Sequence, residues 1–196
     1  MSRLNVVDPA SATGKAAELL STVKASLGTV PNLTKVMANQ PTVLDAFLAI
    51  GGALSNGAFD AKTREAIALT VAGANGCDYC ASAHSAISES LKVDPKEIER
   101  RLLAQSDDSK LQALLMFAKT IVDKRGLVSD ADIAAVKRAG HDDAAITEVT
   151  AHVAANIFNN YIDNVADTEI DFPIARTHDM APAAQRLGPR RKRSWR

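Results

Sequence analysis

Helix-forming residues dominate this sequence, and that bias constrains the fold more than any other feature. Alanine, which has the highest helix propensity, occurs 35 times, whereas aromatic residues make up only 4% of the chain. Apolar residues recur three or four positions apart, as at Leu111, Leu115 and Ala118, which is the spacing of one helix face. Alternating runs of β-branched residues that end in Asn-Gly or Asp-Gly turns, the usual sign of hairpins, do not occur. The sequence therefore predicts an all-α protein.

Capping residues mark where the predicted helices begin and end. Asp60 precedes an apolar segment that Gly76 terminates, and Asp94 precedes a proline at a first helical position. Ser129 or Asp130 opens another segment, which closes on two basic residues and a glycine. These signals predict about nine helices with short connections, one of which begins at Pro95. The other predicted segments are Gly14–Leu27, Asn32–Ala38, Thr42–Ser55, Ala61–Ala74, Cys77–Leu91, Lys110–Lys124, Ala131–Ala139 and Asp142–Asn164.

The length and composition are those of one helical domain with its own core. A chain of 196 residues buries about 70% of its unfolded-state surface, so it needs neither disulfides nor a structural metal to fold. We expect a single domain over residues 1–175. No apolar run reaches the roughly 18 residues of a membrane span, and the first residues lack the apolar stretch of a secretory signal. We therefore expect a cytoplasmic protein with no membrane partner.

The net charge of zero hides an uneven distribution. Residues 186–196 carry six basic residues and no acidic one, which leaves 17 basic against 23 acidic residues in the rest of the chain. A mildly acidic body lacks the basic surface that nucleic acid requires, so we expect no nucleic-acid partner. We interpret residues 176–196 as a flexible basic tail. The alternative is a tail that contacts nucleic acid, lipid or an acidic surface of another subunit.

The two cysteines of the chain lie with a histidine on one predicted helix. Cys77 follows the terminating Gly76, and Cys80 comes three residues later. His84 follows after four more residues, so at about 100° per residue the three side chains fall within an arc of about 60°. A helix N-terminus stabilises a thiolate, a second thiol can close a disulfide, and an imidazole can relay a proton. Glu65 lies on the preceding helix, from which its carboxylate could orient the imidazole.

Three kinds of site are compatible with these residues. A redox pair, in which one thiol attacks and the other resolves, is the interpretation we favour, with the four side chains in one partly enclosed pocket with apolar walls. Two buried structural thiols are the second possibility. Zinc held by the four side chains is the third, but three ligands within one stretch of helix make a strained tetrahedral site. We therefore expect no metal and no other cofactor.

The spacing of these residues resembles that of a known family. Glu65, eleven residues, Cys-x-Tyr-Cys, three residues and then His84 is similar to the AhpD-like branch of the carboxymuconolactone decarboxylase family. The resemblance extends over about residues 30–173, and the late Ile-Asp-Phe-Pro segment resembles the subgroup called peroxidase-related enzymes. It implies an AhpD-like helical domain and a homo-oligomer, either a trimer or a hexamer.

The same resemblance implies an alkyl hydroperoxidase with peroxiredoxin-like activity. Cys80 would attack the peroxide and become a sulfenic acid, Cys77 would resolve it to a disulfide, and an external dithiol would reduce that disulfide. Glu65 and His84 would form the proton relay. Well-studied members have histidine where this chain has Tyr79, and a phenol is a poor base near neutral pH. Helix electrostatics alone would instead favour Cys77, the thiol nearer the helix N-terminus, as the reactive one.

Two other functions fit the same sequence. A carboxymuconolactone-decarboxylase-like enzyme would share the fold, although members of that branch generally lack the cysteine pair. A non-catalytic or zinc-held oligomeric protein would use the cysteines for structure alone.

Overall fold

The computed structural model describes residues 1–177, and nine α-helices follow one another in this part of the chain. No strand occurs among these residues, so the predicted all-α fold with about nine helices is confirmed. None of the nine helices is long and apolar enough to cross a membrane. The helices are α1 (Gly14–Leu27), α2 (Asn32–Met37), α3 (Pro41–Leu54), α4 (Ala61–Asn75), α5 (Asp78–Ser90), α6 (Pro95–Leu102), α7 (Ser109–Asp123), α8 (Asp130–Arg138) and α9 (Asp143–Ala166).

Most of the basic tail expected at residues 176–196 lies outside the described residues, which end at position 177. The single domain expected over residues 1–175 stays a prediction.

Capping side chains explain why the predicted helix ends agree with the observed ones to within about two residues. Asp60 accepts a backbone N–H from the first turn of α4 at 2.7 Å. Ser129 and Asp132 form a reciprocal capping box at the start of α8. Five predicted starts, those of α3, α5, α7, α8 and α9, were off by one residue. α3 begins earlier because Pro41 occupies its first turn, and α5 begins later because Cys77 is its N-cap.

The helix α4 forms the centre of the fold. Every residue from Ala66 to Ala72 is buried, which is the pattern of a helix enclosed on all sides. α4 packs on α5, α6, α7 and α9. One apolar cluster joins residues of α1 to α6, and a second joins residues of α4, α7, α8 and α9. Because α4 contributes to both clusters, a side chain on it is held from two directions.

A glycine allows α6 to lie directly against the end of α4. A Cβ atom at Gly73 would collide with the backbone carbonyl of Leu102. Nearby, the Thr70 hydroxyl donates a hydrogen bond to the Arg101 carbonyl at 2.8 Å. These contacts fix the last turns of α4, the end from which the chain enters the cysteine motif.

Candidate active site

A left-handed turn between α4 and α5 sets the position of the cysteine pair. Gly76 ends α4 with a φ of 63°, a conformation that favours glycine. The Cys77 N–H then donates to the Ala72 carbonyl at 3.0 Å. Cys77 is the N-cap of α5, and its Sγ accepts the N–H of Cys80 at 3.2 Å. The prediction that Cys77 lies at a helix start is confirmed.

Both cysteines are free thiols within the protein interior. Cys77 is 0% exposed and Cys80 is 3% exposed. They belong to the apolar cluster that joins α1 to α6. The pair is therefore more enclosed than the partly enclosed pocket with apolar walls that the sequence predicted.

The thiol of Cys77 contacts an acidic residue from a distant part of the chain. It donates to Oδ2 of Asp163 on α9 at 3.3 Å, and Asp163 is only 6% exposed. The pKa of the Cys77 thiol is raised by its hydrogen bond with the Cys80 side chain, by burial, and by negative charge on Cys80 and Asp163. These effects outweigh the α5 dipole, so Cys77 is held as a protonated thiol.

Sequence reasoning missed Asp163 as a member of the site. The one signal available was the spacing of Asn160 and Asp163, which lie three residues apart on the inner face of a predicted helix. In the structure Asn160 is completely buried and accepts a hydrogen bond from Asn75 at 2.9 Å. This bond ties α9 to the end of α4 and brings Asp163 to the cysteine turn.

The predicted pairing of Glu65 with His84 is present. Oε2 of Glu65 on α4 lies 2.8 Å from Nδ1 of His84 on α5, and both side chains are mostly buried. Burial alone lowers the pKa of His84, but the charge and hydrogen bond of Glu65 outweigh it, with a smaller contribution from Cys80. The net result is a His84 pKa raised above 6.5. The imidazole therefore carries a proton more readily than an ordinary histidine.

Tyr79, which lies between the two cysteines in the sequence, is bonded to other partners. Its hydroxyl accepts the Leu33 N–H at 3.1 Å and donates to Oδ1 of Asp171 at 2.8 Å. Its ring packs edge-on against Phe172, with centroids 5.7 Å apart. Burial is the main cause that raises the pKa of Tyr79, so the phenol stays protonated. These contacts indicate that Tyr79 attaches neighbouring segments to α5.

Residues 168–177, here called the strap, cross the first turns of α5. The Asp78 carboxylate accepts hydrogen bonds from the backbone N–H and the hydroxyl of Thr177, at 2.9 and 2.8 Å. Its other oxygen lies 3.7 Å from the Arg176 guanidinium. The Ser82 hydroxyl accepts the Ala175 N–H at 2.9 Å. The strap thus covers the helix that carries both cysteines.

The zinc alternative finds no support in the part of the chain that is described. Residues 1–177 contain no group of three or more His, Cys, Asp or Glu side chains placed to hold a metal ion. Three of the four residues considered for zinc are instead engaged in two separate polar contacts. Glu65 bonds His84, and Cys77 bonds Asp163.

The segment that carries this site is similar to a known family. Residues 41–123 match the sequence profile of the Carboxymuconolactone decarboxylase family, and this stretch contains Glu65, both cysteines and His84. An uncharacterized protein of Haemophilus influenzae is 50% identical over 46 residues, which is 23% of this chain. The matched segment spans 41% of the length of that relative.

Solved structures share the fold over most of the chain. A crystal structure from Ralstonia eutropha JMP134, described as an alkylhydroperoxidase AhpD core of an uncharacterized peroxidase-related protein, has a TM-score of 0.77 at 25% identity. It covers 87% of this chain and 92% of its own. An uncharacterized peroxidase-related protein from Silicibacter sp. TM1040 has a TM-score of 0.73 at 24% identity, with 85% and 89% covered. The debrominase Bmp8, in complex with 2,3,4-tribromopyrrole, has a TM-score of 0.72 at 21% identity, with 92% and 97% covered. Residues 41–123 are thus similar in sequence to the Carboxymuconolactone decarboxylase family, and the whole fold is similar to that of an alkylhydroperoxidase AhpD core.

The first prediction concerns the charge on His84. Replacement Glu65→Gln removes the attraction that raises the His84 pKa but keeps the burial that lowers it. We therefore expect His84 to titrate above 6.5 in the wild type and below 6.5 in the variant. NMR titration of the imidazole resonances measures both midpoints.

This shift also links protonation to stability. The pKa of His84 is higher in the folded state than in the unfolded state, so protonation of His84 stabilises the fold. This contribution is complete below the unfolded-state pKa and is lost as pH rises through the folded-state pKa. The advantage of the wild type over Glu65→Gln should shrink across that interval. Glu18→Gln, at an exposed acid on α1, is the control that leaves His84 unchanged. An identical His84 midpoint in wild type and Glu65→Gln would contradict the assignment.

A second prediction tests whether Tyr79 acts through structure. Tyr79→Phe removes the hydroxyl that bridges Leu33 and Asp171, so we expect a loss of about 1–3 kcal/mol in the free energy of unfolding. Urea denaturation measures this loss. Tyr161→Phe is the matched control at an exposed tyrosine and should change stability little. A Tyr79→Phe protein of unchanged stability but slower peroxide reaction would instead assign the phenol to the chemistry.

Proposed function

We propose that this protein is a thiol-dependent alkyl hydroperoxide reductase in which Cys80 attacks, Cys77 resolves, and Glu65 with His84 relays protons. The observation that carries the proposal is the 2.8 Å contact of Glu65 with His84, one turn beyond a cysteine pair at a helix start. The family match over residues 41–123 and the similarity to a peroxidase-related protein support a peroxidase-like role.

The first chemical step is attack of the Cys80 sulfur on a peroxide oxygen. Cys80 transfers its proton to the His84–Glu65 pair, which becomes an imidazolium beside a carboxylate. The S–O bond then forms while the O–O bond breaks, and the leaving alkoxide takes a proton from His84 and departs as an alcohol. The sulfur loses two electrons to become a sulfenic acid, and the peroxide gains them.

The second step joins the two sulfurs. The Cys77 sulfur attacks the Cys80 sulfenic acid, the S–S bond forms, and the oxygen leaves as water. An external dithiol then reduces the disulfide by thiol–disulfide exchange and is itself oxidised to a disulfide. The cycle needs no metal or organic cofactor, and its dependence on a dithiol donor fits a cytoplasmic location, where thiols are kept reduced.

The different surroundings of the two thiols support Cys80 as the attacking residue. The thiol of Cys77 is held protonated by its contacts with Cys80 and Asp163, although it lies nearer the helix N-terminus. Cys80 lies on the side of the pair nearer His84, whose charge it influences. The alternative assignment, with Cys77 as the low-pKa thiol, requires its proton to leave a buried site beside a carboxylate.

The enclosure of the pair also bears on the substrate class. Because Cys80 is only 3% exposed and apolar residues surround it, a small hydroperoxide fits the site better than a bulky or charged one. The debrominase resemblance, at 21% identity, concerns the fold alone.

We further propose that the protein is a homo-oligomer, a trimer or a hexamer, assembled through α3 and α9. α3 is rich in apolar residues, yet Leu44 is its one buried residue, and Ile50 remains 40% exposed. On α9, Tyr161 and Val165 are 58% and 64% exposed. Phe158 lies on the same helix face as these two and lines a shallow groove with Ile50. An apolar face built from two packed helices is typical of a subunit interface.

The third prediction separates the roles of the two thiols. Cys77→Ser should react once with an alkyl hydroperoxide and stop as a sulfenic acid that dimedone traps, because no resolving thiol is present. Cys80→Ser should barely react. His84→Ala and Glu65→Gln should fold normally and slow the first step, by about 10²–10⁴-fold for lost acid–base catalysis. Stopped-flow kinetics and mass spectrometry measure both steps.

Two outcomes would count against this assignment. A sulfenic acid trapped on Cys77 in the Cys80→Ser protein would transfer the attacking role to Cys77. Equally slow reaction of the wild type and all variants would exclude peroxidase activity and leave a disulfide reductase or a redox sensor as the better function for the pair.

The fourth prediction concerns assembly. Ile50→Glu should lower the mass measured by light scattering at micromolar concentration, because a charge in an apolar interface is strongly unfavourable. Leu127→Glu is the matched control, since Leu127 is 84% exposed in the connection between α7 and α8 and should leave the mass unchanged. A biological interface should bury more than roughly 1,000 Å². A monomeric wild type would refute the proposal.

A further inference from the structure

The contact between Cys77 and Asp163 raises a question that the proposed cycle leaves open. Resolution requires the Cys77 sulfur to act as a nucleophile, and a thiol reacts as its thiolate. Cys77, however, is 0% exposed, and its surroundings favour the protonated form. Bulk water therefore cannot serve as the base, and the proton must pass to a group within the protein.

One carboxylate lies within reach of that proton. Oδ2 of Asp163 accepts the Cys77 thiol hydrogen bond at 3.3 Å, a normal distance for a bond that involves sulfur. Glu65 is occupied at the other end of the motif by its bond to His84. The two halves of the cysteine pair thus face different acid–base groups, one on α9 and one on α4 and α5.

The position of Asp163 is fixed by the fold. α9 packs against both α4 and α5, and the bond from Asn75 to Asn160 holds it one turn before Asp163. Asp163 itself is 6% exposed, so its carboxylate faces the protein interior. A carboxylate held in this way is aligned with the thiol before any reaction takes place, as a general base must be.

We propose that Asp163 is the general base of the resolving step, an inference that rests on the proposed function. Asp163 takes the Cys77 proton as the Cys77 sulfur attacks the Cys80 sulfenic acid. The S–S bond forms, the S–O bond breaks, and the departing hydroxide takes that proton back from Asp163 and leaves as water. When the external dithiol later reduces the disulfide, its two protons restore the Cys77 and Cys80 thiols. The cycle leaves no net charge behind.

The experiment measures how fast Cys77 closes the disulfide with Cys80, once after reaction with a hydroperoxide and once after reaction with a reagent that contains no peroxide. Asp163→Asn keeps the size and the hydrogen-bonding capacity of the side chain but removes the base. Asp167→Asn is the matched control, an acid-to-amide change at the exposed C-cap of the same helix. Methyl methanethiosulfonate serves as the peroxide-free probe, because it places a methylthio group on Cys80 that Cys77 then displaces as methanethiol. Mass spectrometry follows the adduct and the disulfide, and circular dichroism checks the fold.

We expect Asp163→Asn to slow the closure of the disulfide and to leave the first step unchanged. Asp163→Asn should form the Cys80 sulfenic acid, or the methylthio adduct, at the wild-type rate. It should close the disulfide about 10²-fold more slowly, since general-base help is lost. The sulfenic acid should therefore accumulate and be trapped by dimedone, whereas Asp167→Asn behaves like the wild type. A merely structural role of Asp163 would slow both steps together.

Other results would overturn the inference. Equal or faster closure in Asp163→Asn would mean that the carboxylate only restrains Cys77. If the variant does not fold, the wild-type closing step is compared in H2O and D2O. A slower step in D2O supports proton transfer during disulfide closure, as a general base requires, and an unchanged rate contradicts it.

The two proposals fail in distinguishable ways. A wild type that closes the disulfide from the methylthio adduct but ignores hydroperoxides would contradict the peroxidase function and leave the role of Asp163 in resolution intact. A wild type whose pair never closes with either reagent would overturn both.

Discussion

The turn at Gly76 is the constraint on which the rest of the site depends. Its positive φ ends α4 and starts α5 within two residues, so the two helices lie against each other with their functional side chains facing. Cys77 becomes the N-cap at that turn, Cys80 follows within the first turn of α5, and His84 reaches back to Glu65. A side chain at Gly76 would strain this left-handed conformation, although no neighbouring atom would obstruct it.

The same turn gives the two thiols different electrostatic surroundings. A helix N-terminus stabilises negative charge, so proximity alone would make Cys77 the more acidic thiol. Burial and the carboxylate of Asp163 act in the opposite direction on this residue, and they prevail because little water reaches the site to screen them. On the other side, the charge of Glu65 raises the pKa of His84 and makes it a stronger proton acceptor. Two carboxylates from two helices thus control one cysteine pair from opposite ends.

How well each feature of the fold and the site could be predicted depends on how far apart its residues lie in the sequence. The helix ends are encoded by neighbours, such as Asp60 before α4 and Ser129 before α8, and the sequence predicted them well. The pairing of Glu65 with His84 was also within reach, because nineteen residues and one turn connect them.

The remaining features of the site depend on long-range packing. The partner of Cys77 is 86 residues away, and that of the Tyr79 hydroxyl 92 residues away. Periodicity indicates which helix face is buried, but which helices then meet is decided by the packing of the whole core. The degree of enclosure of the thiols escaped prediction for the same reason, since the strap that lies over α5 comes from beyond α9.

The late position of the strap has a consequence for the order in which the site is completed during synthesis. The helix with both cysteines leaves the ribosome about ninety residues before Asp171, which bonds Tyr79. During that interval the thiols of the growing chain lack their final cover. The sequence contains no third cysteine, so the early thiols have no incorrect partner within their own chain. A protein that delays the enclosure of its two cysteines in this way avoids mispaired disulfides within the chain through its composition.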